Sequence, residues 1–428
     1  MKTHSLTIAG VFLLICILLI AGCTQNSTQT GAQTTVATPA PGATTAVPVP
    51  TATAAAAVTA SDVKAKTTIP ETTGTSVTTG VSKKVTITDG FGRTVTLNTL
   101  PQKVVCSGSG CLRYLTYLQA QDKVVGVDSI ETKVNPNDAR GYALANPQFL
   151  NLPLIGELRG KDNPEKIVAL APELIFKTGW QGTPGATDKN AVDELQRKTK
   201  ITVIGFPLGS LRTKTQQEEM YYALNTMGLV MGKEARAKEI ENYIEATIAD
   251  LNQRTKDIPD SQRKSAYIAA VAMSGAHGVV STEPAYAPFR YTNVKNIAEP
   301  FGTGHIDISK EYLVNADPEY IFVDLSTIQD TSGNSAIDQL KNDPAYQKLT
   351  AVKQGKVYGV IPYIWYAENY ENVLADAYFI GKVLYPDQFA DVDPVQKANE
   401  ITTFFDGKPM YDQYQKNFNN MVFKPITL

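Results

Sequence analysis

The chain predicts an α/β fold in two lobes, each a mainly parallel sheet flanked by helices, with one long helix joining them. Three observations point there. Short apolar strand candidates alternate with helical patterns, and the alternation starts afresh after Ser265. About 345 residues follow Lys83, too many for one ordinary core and enough for two. Between the halves, Ala237, Ile240, Ile244, Ile248 and Leu251 recur at spacings of three and four and make one apolar stripe.

Ahead of the fold lie two segments of different character. Lys2 and His4 precede an apolar run from Leu6 to Ala21, shorter than the roughly 20 residues of a spanning helix, and it closes on Ile20-Ala21-Gly22-Cys23. Charge, short apolar core and small residues read as an export signal over residues 1–22. An uncleaved N-terminal anchor is the alternative, and either reading exports the rest. Residues 23–83 are then a Thr/Ala/Pro-rich tether without an aromatic or a leucine, which cannot bury enough surface to offset its ordering entropy. Asn26-Ser27-Thr28 fits an N-glycosylation acceptor, a weak signal in a polar tract.

From Lys84 the elements follow in order. Residues 85–88 and 94–97 alternate in the strand period around Asp89-Gly90-Phe91-Gly92, which predicts a hairpin. Strand candidates at 103–105, 123–127, 174–176 and 202–204 alternate with helices from Gly110, from Asn163 and near Val192. These elements make an N-terminal lobe over 84–231. Gly232 opens and Pro259 ends the connecting helix, 232–258, whose roughly 24 residues would span about 36 Å. A helix packed inside one domain is the alternative reading. The C-terminal lobe, 259–428, has strand candidates at 267–271, 320–323 and 357–360, with helices near Glu311, Asp338 and Ala375.

Composition narrows the function. Lys+Arg number 40 against Asp+Glu 42, and no basic run marks a nucleic-acid surface. Cys106 and Cys111 are the cysteines left after the leader; they could bridge a tight turn or pack as free thiols. His277 and His305 with a nearby carboxylate could bind a metal, yet no further ligands stand at a readable spacing, so no metal site is assigned. The chain has no P-loop, no G-x-S-x-G elbow, no H-E-x-x-H and no Cys-x-x-Cys, which argues against an enzyme and implies no cofactor.

The strand-to-helix loops are where a ligand would sit. Ser107 and Ser109 lie in a Gly-rich turn that could hold an anion or simply need small residues. Trp180 follows Thr178-Gly179, Ser274 and His277 lie after the strand at 267–271, and Arg113 and Arg290 could add positive charge. Residues 362–370 concentrate four aromatics, of which Tyr363, Trp365 and Tyr366 suit a pocket wall for a chelate or planar ligand, although part of the group is expected in the core.

The order of motifs resembles a known family. Residues 85–95 followed by Pro101-Gln102-Lys103-Val104-Val105, then 122–128 and Asn163-Pro164-Glu165 through Ile175, are similar to the periplasmic binding proteins of ABC importers for iron complexes and cobalamin. Ile308 to Leu313 before Asp317 to Val323, and Ala351 to Tyr358, resemble later blocks of that family. Cys23 after Ala21-Gly22 resembles a lipobox, in which the cysteine is acylated. The resemblance implies two lobes on a stiff connector, a ligand in the cleft between them, and docking to a permease and its ATPase through Glu165 and Glu311. Both glutamates also sit where a helix start favours a carboxylate. The expected function is a monomeric, lipid-anchored binding protein on the outer face of the cytoplasmic membrane, with a metal chelate as cargo. An oxyanion such as molybdate or tungstate is the first alternative, and a surface sensor or adhesion module the second. Cys23→Ser is expected to leave the chain unacylated, either released or as an unprocessed precursor; mass spectrometry of the N terminus reads this out, and an unmodified Met1 terminus in wild-type membranes would overturn the anchor.

Overall fold

The computed structural model describes residues 84–179 and 187–428. The leader, Cys23, the tether and Trp180 lie outside the described residues. β1 (Val85–Thr88) and β2 (Thr94–Leu97) pair antiparallel, Val85 opposite Leu97, and the period of two turns Val85, Ile87 and Val95 inward. Asp89 Oδ1 closes the turn by accepting from the N–H groups of Phe91 at 3.0 Å and Arg93 at 2.9 Å.

The first large sheet comprises β3 (Val104–Ser107), β4 (Val124–Asp128), β5 (Leu154–Glu157), β6 (Lys161–Asp162), β7 (Leu174–Gly179) and β8 (Val203–Pro207). Their order is β6-β5-β4-β3-β7-β8, parallel except where β6 returns along β5. Its helices are α1 (Cys111–Tyr117), α2 (Gly141–Ala145), α3 (Pro164–Ala169), α4 (Lys189–Thr199) and α5 (Lys214–Met231). The strand period sorts its two faces. Val105, Ile175 and Val203 pack with Ile167 of α3 and Val192 of α4, whereas Val104, Phe176 and Ile204 face the main core with Leu115 of α1 and Leu224 of α5.

Gly232 caps α5 at φ 65°, in the left-handed region that glycine adopts without strain. The next helix, α6, runs Glu234–Thr255, about 33 Å at 1.5 Å per residue. Ala237, Ile240, Ile244 and Leu251 are buried and Ile248 is half-buried, which is the stripe expected. It packs on α5 and on a later helix of the second half.

In that half, β9 (Ser265–Ala269), β11 (Lys295–Asn296), β13 (Tyr320–Asp324) and β14 (Val357–Val360) form a parallel sheet in the order β11-β9-β13-β14. A small antiparallel ribbon pairs β10 (Ser281–Thr282) with β12 (Ile306–Asp307). The helices are α7 (Ala287–Tyr291), α8 (Lys310–Ala316), α9 (Ala336–Asn342), α10 (Thr350–Lys353), α11 (Tyr370–Leu384), α12 (Pro394–Asp406) and α13 (Tyr411–Asn417). The main core runs on from the first sheet into the second, with Tyr117 of α1 edge-on to Phe405 of α12 at 4.9 Å between ring centres.

Asp324 ends β13 fully buried, its Oδ1 accepting from the Ser326 N–H at 2.9 Å. Burial pushes its carboxyl up to about 7. A carboxyl whose pKa is higher folded than unfolded adds stability below its unfolded pKa, and that stability is lost as pH rises through the folded one. The chain is expected to lose about 2–3 kcal/mol through Asp324 between pH 5 and pH 8. Urea unfolding at the two pH values checks this, with Asp324→Asn flattening the dependence.

Candidate functional site

Parallel strands all deliver their following loops to one end of a sheet, and here the loops of both sheets meet. Across the loop after β3, Cys106 on the strand and Cys111 at the start of α1 are joined by a disulfide with 5.4 Å between Cα atoms. Gly108 at φ 90° passes so close to β7 that a Cβ would stand 1.9 Å from the Thr178 carbonyl oxygen. Ser107 and Ser109 are both buried. The Ser107 hydroxyl donates to Asp162, and the Ser109 carbonyl accepts from Thr178 Oγ1 at 2.6 Å.

This wall therefore carries carboxylates beside the donors expected for an anion. Gly108 N–H donates to Asp128 Oδ2 at 2.9 Å. Lys177 Nζ donates to Asp162 Oδ2 at 2.6 Å and to the Gly160 carbonyl at 3.2 Å. Burial, reinforced by the neighbouring charges of Asp162 and Glu131, pushes the Asp128 carboxyl up to about 7 against the pull of its hydrogen bonds.

Across the gap, Tyr366 and Ala367 take φ values of 52° and 83°, a strained pair for non-glycine residues. The Tyr366 hydroxyl donates to Asp128 Oδ2 at 2.5 Å and accepts from the Arg159 N–H at 2.9 Å. Trp365 is half-buried beside it, and its buried indole N–H has no hydrogen-bond partner among the described residues. Ser274 is exposed and His277 half-buried in the loop after β9. Asp128, Arg159, Asp162 and Lys177 join this wall without having been singled out in the sequence. Asp128 closes a legible strand, but Arg159 lies in the β5–β6 turn and Asp162 on the two-residue β6, whose shortness hides both.

The remaining residues of the expected site lie in the seam where the halves touch. Arg113 is buried, its Nε donating to Asn369 Oδ1 at 3.2 Å and its Nη2 to the Tyr366 carbonyl at 3.3 Å, with its guanidinium 5.3 Å from the Tyr142 ring centre. Beside it the Tyr117 hydroxyl donates to Glu371, whose carboxyl burial pushes up against the pull of Arg113. Tyr363 is buried and donates to Glu283, which is ion-paired with Arg212. Arg290 donates to the Arg212 carbonyl and lines a separate hollow of about 460 Å³ with Lys214, Arg263 and Glu299.

Glu165 and Glu311 occupy matching places. Each is the second residue of a short helix, α3 or α8, that follows a two-residue strand and leads into the next long one. Both are exposed behind a capping side chain, Asn163 Oδ1 accepting from Lys166 N–H at 3.0 Å and Ser309 Oγ from Tyr312 N–H at 3.1 Å.

A model of the family described as periplasmic binding protein matches residues 104–363. The chain belongs to the periplasmic binding protein family. It is 22% identical over 307 residues to YvrC, an uncharacterized ABC transporter substrate-binding lipoprotein of Bacillus subtilis, covering 72% of this chain and 87% of that protein. Among solved structures, the molybdate periplasmic binding protein MolA of Haemophilus influenzae, bound to molybdate, superposes with a TM-score of 0.60 at 21% identity, over 76% of this chain and 98% of that one. The TroA-like periplasmic binding protein FepB of Veillonella parvula gives 0.57 at 18% identity, over 80% and 97%. These likenesses establish the two-lobed α/β fold.

Removing the Arg113 charge leaves Glu371 buried without its compensating cation. Arg113→Met is expected to lower stability by about 2–4 kcal/mol. Denaturant unfolding at neutral pH checks it, and an unchanged midpoint would take Arg113 out of the seam.

Proposed function

We propose that this periplasmic binding protein is the solute-binding subunit of an ABC importer, acting as a monomer and held by a lipid on Cys23 to the outer face of the cytoplasmic membrane. Its cargo on this reading is a metal chelate of the iron-complex, haem or corrinoid type. The observation that carries the reading is the wall shared by the two sheets, where Trp365, Tyr366, Asp128 and Lys177 surround the meeting point of the strand ends. Aromatic faces with polar tips and one spare indole N–H suit a large planar or chelated ligand.

The same wall weighs against a bare oxyanion, the reading that the Haemophilus relative would favour. Two carboxyl groups, Asp128 and Asp162, stand beside one ammonium, Lys177, and the Ser107 hydroxyl and Gly108 N–H already donate to them. A bridged cysteine pair supports an oxidising compartment outside the cytosol. The matching exposed glutamates, Glu165 and Glu311, support docking of one lobe each to permease arginines.

Calorimetry of the chain against ferric chelates, haem, corrinoids, molybdate and tungstate is expected to give one-to-one binding to a chelate. Silence across all of them would favour a sensor or adhesion module. In cells, Glu165→Lys with Glu311→Lys is expected to abolish uptake with ligand affinity changed less than about twofold, because charge reversal weakens a charge-matched interface. Loss of ligand binding in that variant would move the glutamates into the cleft.

A further inference from the structure

The chain has three histidines, and two of them, His277 and His305, come together 28 residues apart in sequence. Their ring centres are 5.5 Å apart. One ring nitrogen of each and a carboxylate oxygen of Asp307 lie within 4.8 Å of one another, a convergence of three metal-ligating groups. We propose that His277, His305 and Asp307 form a binding site for a single divalent transition-metal ion of the zinc or nickel class.

The surroundings set both rings for the task. His277 Nε2 is 2.8 Å from the Met273 carbonyl oxygen, which can only accept, so Nε2 carries the proton. His305 Nε2 is 2.7 Å from Ser281 Oγ. That hydroxyl spends its own proton on the Val271 carbonyl at 2.7 Å, so it accepts from His305. Each imidazole is thereby held as the tautomer with a lone pair on Nδ1, the arrangement in which outer partners orient metal-binding histidines. The third ligand is set by strand register, because Asp307 on β12 lies directly opposite Ser281 on β10.

Two imidazoles and one carboxylate suit zinc, nickel, cobalt or copper and disfavour magnesium or calcium, which take oxygen ligands. Three protein ligands leave a fourth position for water or another donor. His277 comes from the loop after β9, and His305 and Asp307 from the segment that enters β12. A bound ion would cross-link that loop to the ribbon. The inference is independent of the import reading, since it needs neither a permease nor a chelate.

Titration of the full chain, without an affinity tag, with zinc chloride and nickel chloride is expected to show one saturable site, and magnesium chloride none. Cobalt(II) should give the visible absorption of a protein-bound ion. His277→Gln and His305→Gln should each lower zinc affinity at least about tenfold with the circular dichroism spectrum unchanged. Absence of saturable binding, or undiminished affinity in both variants, would overturn the site. On the unaltered chain, zinc should protect His277 and His305 from carbethoxylation where magnesium does not. Full reaction of both in saturating zinc would overturn it irrespective of how the variants fold.

Discussion

Sliding the two sheets out of register would strand buried charges, and much of the site's geometry follows from that. Residues 210–212, just past β8, lie in the second half's loops. Glu368 accepts from Ser210 Oγ at 2.5 Å and from the Leu211 N–H at 2.8 Å, while Arg212 pairs with Glu283. The Tyr291 hydroxyl takes the Leu211 carbonyl at 2.7 Å. A slide that breaks these pairs while the seam stays dry would leave a guanidinium and two carboxylates buried without partners, which costs far more than the net gain from forming the pairs. At this edge the halves are held together by charge and hydrogen bonding as well as by packing.

Where Tyr366 reaches Asp128, the contact across the gap is made from strained backbone. Two consecutive non-glycine residues, Tyr366 and Ala367, hold left-handed backbone so that one hydroxyl can reach Asp128 and Arg159. Opposite them the loop after β3 is made rigid by its disulfide and by a glycine that no side chain could replace. A stiff wall thus faces a tensioned one, joined by a phenol shared between a carboxyl and a backbone amide and by the Arg113 guanidinium on the Tyr366 carbonyl.

Much of the architecture was legible because it is written in local periodicity. The hairpin turn around Asp89, the stripe of α6 and the Asn163-Pro164 start of α3 each depend on residues within a few positions of one another. What stayed hidden depends on pairing at a distance. β5 and β6 are short and reveal themselves only by lying against each other, so Arg159 and Asp162 gave no signal. Asp307 reads as an unremarkable acidic residue until ribbon register sets it opposite Ser281. Nothing in one dimension separates an arginine that faces solvent from one, like Arg113, enclosed by tyrosines and Asn369. Cys106 and Cys111 admitted two states from spacing alone, and it took the geometry of the turn to join them.

The edges of the two larger sheets have a further consequence. At β8 the outer backbone is occupied by the β1–β2 turn, with the Gly90 N–H on the Gly205 carbonyl at 2.9 Å and the Gly205 N–H on Asp89 Oδ2 at 3.1 Å. At β14 it is occupied by residues 422–426, whose Phe423 and Ile426 N–H groups reach the carbonyls of Gly359 and Val357 at 2.9 and 2.8 Å. The opposite edges, β6 and β11, are two residues long. Among the described residues, neither sheet offers a long open row of amides and carbonyls for a neighbouring copy to pair with. Pairing between copies through either of these two sheets therefore has no long open strand to start from among the described residues.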